Sequence, residues 1–244
     1  MYSRPHHQRI QRILEALNPD LLLRNQCLFG GGTAITLTHG EYRESVDVDL
    51  IVSSKDGYRE LRGLVNSQGI EALMKRPVPL RREARIDQYG IRCAFDVDGE
   101  AIKFEIVFEG RVELQDPLPE DRVNGVWALT MRDKVATNLM ANSDRWADDS
   151  VWSRDIIDLA VLTNGQEADP AGVAAAVEAY GSSVLVDIEK ARNNLLERDG
   201  RLLNCMKRMQ MKMPEDHLRR LILGLAVVLP PAPRTIPLLG RAEG

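Results

Sequence analysis

Phe29-Gly30-Gly31-Gly32-Thr33-Ala34-Ile35, followed by Arg43-Glu44-Ser45-Val46-Asp47-Val48-Asp49-Leu50, is the stretch on which the reading of this chain turns. Residues 26–29 have strand character, three glycines break them off, and 33–38 reads as a short helix ended by Gly40. Over 46–52 apolar and acidic residues alternate before the run becomes fully apolar. That pattern predicts a strand with one face in a core and the other lining a cleft. Side chains on a strand repeat with period two, so Asp47 and Asp49 share a face.

Toward the N-terminus, Ile10, Ile13, Leu14, Leu17 and Leu21 recur at helical spacing and predict one amphipathic helix covering the core. Toward the C-terminus, 58–65 reads as a helix and the proline-containing basic run 75–82 as a mobile loop. Residues 84–95 and 101–108 are predicted to be paired strands joined at Asp98-Gly99. In the second strand Ile102, Phe104 and Ile106 face one way, Lys103 and Glu105 the other. From about Trp127 the apolar residues recur at three and four, and helices are expected near 130–143, 151–163, 171–180, 183–198 and 214–229. The expected fold class is α+β: a mixed β-sheet core flanked by helices over 1–125, then an α-helical C-terminal domain over 126–229. An extended or disordered tail is expected over 230–244, where prolines cluster.

The apolar fraction of 44% and charged fraction of 28% are those of a globular chain and exclude a disordered or fibrous one. A net charge of −4 excludes a globally cationic nucleic-acid binder. Nucleic-acid contact would have to come from local patches: the run from Lys75 to Arg85, or Arg192, Arg198, Arg201, Lys207, Arg208 and Lys212. Cys27, Cys93 and Cys205 are far apart and odd in number, which fits reduced thiols better than a disulfide frame or a zinc site. The first residues lack the apolar core and cleavage site of a secretory signal. The apolar run 221–229 is about half the length that a bilayer requires. A cytoplasmic protein with no membrane partner is expected.

Phosphoryl transfer needs oxygen ligands for magnesium, a cradle for the triphosphate and a way to place the attacking hydroxyl in line. Asp47 and Asp49 put two carboxylates close together on one face, where divalent cations would relieve their repulsion. A turn without side chains lets backbone amides approach phosphate oxygens at the positive end of the following helix, so Gly31 and Gly32 are the expected cradle, with the Thr33 hydroxyl beside them. Glu105 is the leading third carboxylate for a two-metal site; the alternative is a cross-strand ion pair on the sheet face. His39, ending the short helix, reads as a cap.

The quoted stretch resembles the opening motif of the AbiEii/AbiGii toxin-like nucleotidyltransferases, a branch of the DNA polymerase beta-like superfamily. The likeness lies in a GGTAL-like turn followed by an R-x-S-x-D-I-D-hydrophobic strand. Lys103-Phe104-Glu105-Ile106 is similar to the family's second motif. Asp133-Lys134 is similar to the third, and Arg154-Asp155-Ile156-Ile157-Asp158-Leu159 to the fourth, with the arginine and first aspartate adjacent. Together these span about residues 26 to 160. Arg154 and Asp158 are also spaced to pair across one helical turn.

The resemblance implies a mixed-sheet nucleotidyltransferase core. It also implies transfer of a nucleoside monophosphate from a nucleoside triphosphate, ATP or GTP among them, to an acceptor. By carry-over, Asp47, Asp49 and Glu105 hold two magnesium ions, or manganese in their place. Gly31, Gly32, Thr33, Arg43, Ser45 and Lys134 contact the nucleotide, Lys134 neutralises triphosphate charge, and Asp158 orients the lysine or the acceptor. The expected acceptor is RNA, with the 3′ end of tRNA foremost, and a cognate antitoxin is an expected partner. A protein or small-molecule hydroxyl as acceptor, or a regulatory module that binds nucleotide without turnover, are the alternatives.

Overall fold

In the computed structural model, which describes residues 2–230, the glycine stretch and the aspartate stretch form neighbouring parts of one sheet. The chain opens with α1 (Pro5–Ala16) and α2 (Pro19–Arg24), then β1 (Cys27–Gly30), α3 (Gly31–Thr38), β2 (Asp47–Val52) and α4 (Lys55–Gln68). A meander follows: β3 (Leu80–Ile86), β4 (Gly90–Val97) and β5 (Glu100–Phe108). After a small hairpin of β6 (Arg122–Val123) and β7 (Val126–Trp127), the described residues continue as helices α5 (Met131–Arg145), α6 (Arg154–Leu162), α7 (Pro170–Tyr180), α8 (Ser183–Glu197), α9 (Arg201–Arg208) and α10 (Glu215–Gly224).

The five-stranded sheet runs in the order β1-β2-β5-β4-β3. β2 and β5 are parallel, and the other pairings are antiparallel. Val48, Leu50 and Val52 are buried on one face of β2, while Asp47, Asp49 and Ile51 alternate onto the other. The buried face joins Phe29, Phe95, Phe104 and Ile106 in a core that α1 covers through Ile10, Ile13 and Leu14. A second core fills the space between the C-terminal helices, and Ile35 and Tyr42, from around α3, belong to it. This is the α+β architecture expected, with a mixed sheet ahead of a helical half.

Several expected elements differ. The single helix over 10–21 is broken at Leu17 because Pro19 starts a new helix, whose first turn Asn18 caps by accepting from the Leu21 amide at 3.2 Å. The expected strand 84–95 is two strands. Asp87 accepts from the amides of Tyr89 and Gly90 at 2.7 and 3.0 Å and turns the chain back between them. The basic run 75–82 is therefore not all loop, since β3 begins at Leu80. The helix expected over 214–229 ends at Gly224, whose close approach to the Gly165 carbonyl leaves no room for a Cβ. The β6–β7 hairpin and α9 were not expected. The tail expected over 230–244 lies, from residue 231 on, outside the described residues. Among the described residues no single helix is long and apolar enough to cross a membrane.

Candidate active site

Gly30 pairs directly with Asp49 across β1 and β2, so the glycine bend begins beside the second aspartate. Gly31 has φ +66, in the left-handed region, and a Cβ there would stand 2.9 Å from Asp49 Oδ2. Both facts require glycine at this position. α3 opens at this bend, beside Asp49, and no side chain caps its N-terminus. The Asp49 carboxyl is pushed up to about 6, by burial first and then by the charge of Asp47. The charges of Lys103 and Arg154 offset part of this rise.

Gly32 is glycine for a different reason. A Cβ there would collide with the Arg43 guanidinium and the Asp158 carboxylate, which are packed beneath the bend. Arg43 donates from Nε to Asp158 Oδ1 and from Nη2 to Oδ2, each at 2.6 Å, and the Tyr42 hydroxyl donates to Oδ1 at 2.6 Å. Arg43 and Asp158 are 4% and 1% exposed, so this is a buried bidentate pair. Burial alone would lower the Arg43 pKa; the Asp158 charge more than reverses it. Asp158, expected to orient the lysine or the acceptor, has Arg43 and Tyr42 as its partners here, not Lys134. Asp158 joins α6 to the loop that leads into β2 and thereby holds the bend.

Thr33 and Ser45, expected at the phosphates, hydrogen-bond each other at 2.7 Å between their hydroxyls. The Ser45 amide donates to His7 Nε2 at 3.0 Å, and His7 Nδ1 meets Glu41 at 2.8 Å, so α1 is tied to the same loop. Nε2 therefore accepts and Nδ1 donates, which fixes a neutral His7. His39 caps α3, its Nδ1 lying 2.9 Å from the Ile35 carbonyl.

Glu105 is the register neighbour of Asp49 on β5. It is taken up by Arg92 of β4 at 2.5 Å and by Lys103 at 2.7 Å. Burial works against its charge, but Lys103 and then Arg92 hold the carboxyl below its usual value. Among the described residues no group of three histidine, cysteine or acidic side chains is arranged to hold a metal ion. In this structure Glu105 makes the cross-strand ion pair that was the alternative reading, beside Asp49. The two aspartates remain as a donor set suited to a hard divalent cation, with the bare Gly31 bend against them.

Lys134 and Asn138 lie one turn apart on α5, and both line the cleft. Asp133 is buried and accepts from the Gln115 amide at 2.8 Å and from Thr130 and Arg132, which makes it an anchor for the segment leading into α5. Asp155 is gripped by Arg145 through two bonds of 2.7 Å. Arg154 pairs with no carboxylate among the described residues, Asp158 included, and lines the cleft, where its charge acts on Asp49. The cleft, of about 590 Å³, runs between the Asp47/Asp49 face of the sheet and the helices α5 and α6. Sequence reasoning did not single out Arg145, Asn138 or Trp152, which also line it, and named Arg208 only within a basic patch; the Arg208 guanidinium sits 5.0 Å over the Trp152 ring. Arg145 and Asn138 had a signal available, since each falls on the Lys134 face of α5 by helical spacing. The basic patch that holds Arg208 was visible, but nothing in the sequence placed it or Trp152 at the cleft.

A sheet carrying two aspartates beside a glycine bend, with a helical half closing the cleft, is the architecture of nucleotidyltransferases. Two solved structures share the fold. One, described as a candidate nucleotidyltransferase from Helicobacter pylori, superposes with a TM-score of 0.52 at 14% identity, covering 90% of this chain and 91% of that one. JHP933 from Helicobacter pylori gives a TM-score of 0.51 at 14% identity over 90% of this chain and 88% of its own. No curated protein matches the chain. The model of the nucleotidyl transferase AbiEii toxin family, Type IV toxin–antitoxin system, matches residues 12–232, and the chain belongs to that family.

Proposed function

We propose that this member of the nucleotidyltransferase toxin family transfers a nucleoside monophosphate from a nucleoside triphosphate to RNA, with Asp47 and Asp49 holding magnesium. The observation that supports the reading is the abutment of Gly31 on Asp49, which brings a helix N-terminus, suited to phosphate, and a pair of carboxylates, suited to a divalent cation, to one point. When bound, magnesium supplies positive charge to the triphosphate and to the leaving pyrophosphate. The open amides of α3 receive phosphate oxygens, while Lys134 and Arg154 add charge from the helical wall. An acceptor hydroxyl attacks the α-phosphorus, the bond to the bridging oxygen breaks, pyrophosphate leaves with that electron pair, and the hydroxyl proton passes to solvent.

Support for a polyanionic acceptor comes from Arg82 and Arg85, exposed on β3. That strand lies three places from β2 in the sheet, roughly 14 Å at ~4.8 Å per strand. In a family of toxins, a cognate antitoxin is the natural partner of such an enzyme. The test incubates the protein with each radiolabelled nucleoside triphosphate, magnesium and total cellular RNA. Label should appear on RNA and be lost in D47A and D49A. Label on polypeptide or a small molecule instead would redirect the acceptor assignment, and label that survives both substitutions would remove the aspartates from the chemistry.

A further inference from the structure

The carboxylate that faces Lys134 is Asp121. It closes a short 3-10 turn, Pro119–Asp121, in the crossover between β5 and β6. Asp121 Oδ1 lies 3.6 Å from Lys134 Nζ. Its Oδ2 accepts from the Leu118 amide at 3.1 Å, and its main-chain carbonyl accepts from the Ala128 amide at 2.8 Å. One edge of the carboxylate is thus fixed by the turn while the other is aimed at the lysine.

The other acidic groups nearby are engaged elsewhere. Asp133, adjacent in sequence, is turned to Thr130, Gln115 and Arg132. Asp158 is held by Arg43, and Glu105 by Arg92 and Lys103. Neither Asp47 nor Asp49 comes within ion-pair distance of Lys134 among the described residues. The Lys134 and Asp121 side chains are 11% and 12% exposed, so water screens the pair weakly. Lys134 lines the cleft, whereas Asp121 lines a separate hollow behind it with Asp116 and Glu120. The lysine therefore stands in the wall between the two.

Building on the reading of Lys134 as a triphosphate contact, we propose that Asp121 is a positioning residue for the nucleotide: its carboxylate keeps the Lys134 ammonium charged and aimed into the cleft without itself touching the ligand. An ammonium withdrawn from water tends to shed its proton, and burial does pull the Lys134 pKa down, with Asp121 the one charge that opposes it. A neutral amine offers a triphosphate little.

The test follows Lys134 itself by pH titration of ¹³C-lysine-labelled protein, its signal identified as the one missing from K134R. In D121N the Lys134 midpoint should fall by about one pH unit, and in D121E it should stay near the wild-type value. Binding of the four α,β-methylene nucleoside triphosphates with magnesium is measured alongside. D121N should weaken binding about tenfold at a pH above the shifted midpoint and much less at neutral pH. In the K134R background, where the guanidinium needs no help to stay charged, D121N should change little. An unmoved Lys134 midpoint in D121N, or an equal loss of binding in D121N with and without K134R, overturns the proposal. A midpoint that falls while D121N and K134A bind every analogue as wild type does would instead overturn the phosphate role of Lys134.

Discussion

Asp158 shows how one buried side chain can serve a site it does not enter. Its carboxylate takes three hydrogen bonds from Tyr42 and Arg43 and lies under Gly32, so the bend, the loop before β2 and α6 are fixed relative to one another. Removing one partner of such a pair leaves the other charge buried and unmatched, at a typical cost of about 3–5 kcal/mol. D158N should lower stability by that order in urea unfolding, and a loss below ~1 kcal/mol would contradict the assignment. R43K keeps the charge but not the two-pronged fork, and should recover only part of what R43M loses. Asp49 makes the opposite trade. Burial and the neighbouring Asp47 charge disfavour its ionised form, so metal-free D49N should melt higher than wild type. A gain of ~1 kcal/mol corresponds to roughly 2–4 °C in a chain of this size. A lower melting temperature in metal-free D49N would show that the aspartates are not in conflict.

At the level of elements, α1 is coupled to the loop between α3 and β2 by His7. The buried ring accepts from Ser45 and donates to Glu41, and burial lowers its pKa against the opposing pull of Glu41. The unfolded chain binds the proton more readily, so this contribution is complete above the ordinary histidine value of 6.5 and is lost as pH falls below it through the folded value. The stability difference between wild type and H7Q, measured in urea, should therefore shrink between pH about 7.5 and about 5. A constant difference would mean that His7 acts by packing alone.

The elements legible in the sequence were those with local periodicity. The alternation at 46–52 and the helical spacing after 127 both survive in the structure, because burial of one face sets each pattern. Breaks decided by a single residue were harder to place. Pro19 divided a continuous apolar stripe, and Asp87 turned a strand whose residues are all compatible with extension. Asn124-Gly125, with φ of 50 and 87, is a tight-turn signal that the short flanking strands left inconspicuous. Partnership was the least legible feature. Nothing in the spacing of Arg43, Asp158, Asp121 and Lys134 says which acid meets which base, since segments far apart in the chain bring them together.

Among the described residues, the two largest cores meet at α3. Ala34 and Leu37 pack into the sheet-centred core and Ile35 into the helix-centred one, so the helix whose start would receive phosphate also locks the two halves together. The cleft between them is lined by Asp47 and Asp49 from the sheet and by Lys134 and Arg154 from the helices, among others. Ligand charge arriving there is met from both sides. The central claim is that the aspartate pair and the glycine bend form one magnesium-dependent nucleotide site. Calorimetric titration of an α,β-methylene nucleoside triphosphate into wild type, D47N and G31A, each with magnesium and with chelator, tests it most directly. Binding should require magnesium in wild type and weaken at least tenfold in both variants; equal affinity with chelator present, or in D47N, would contradict it.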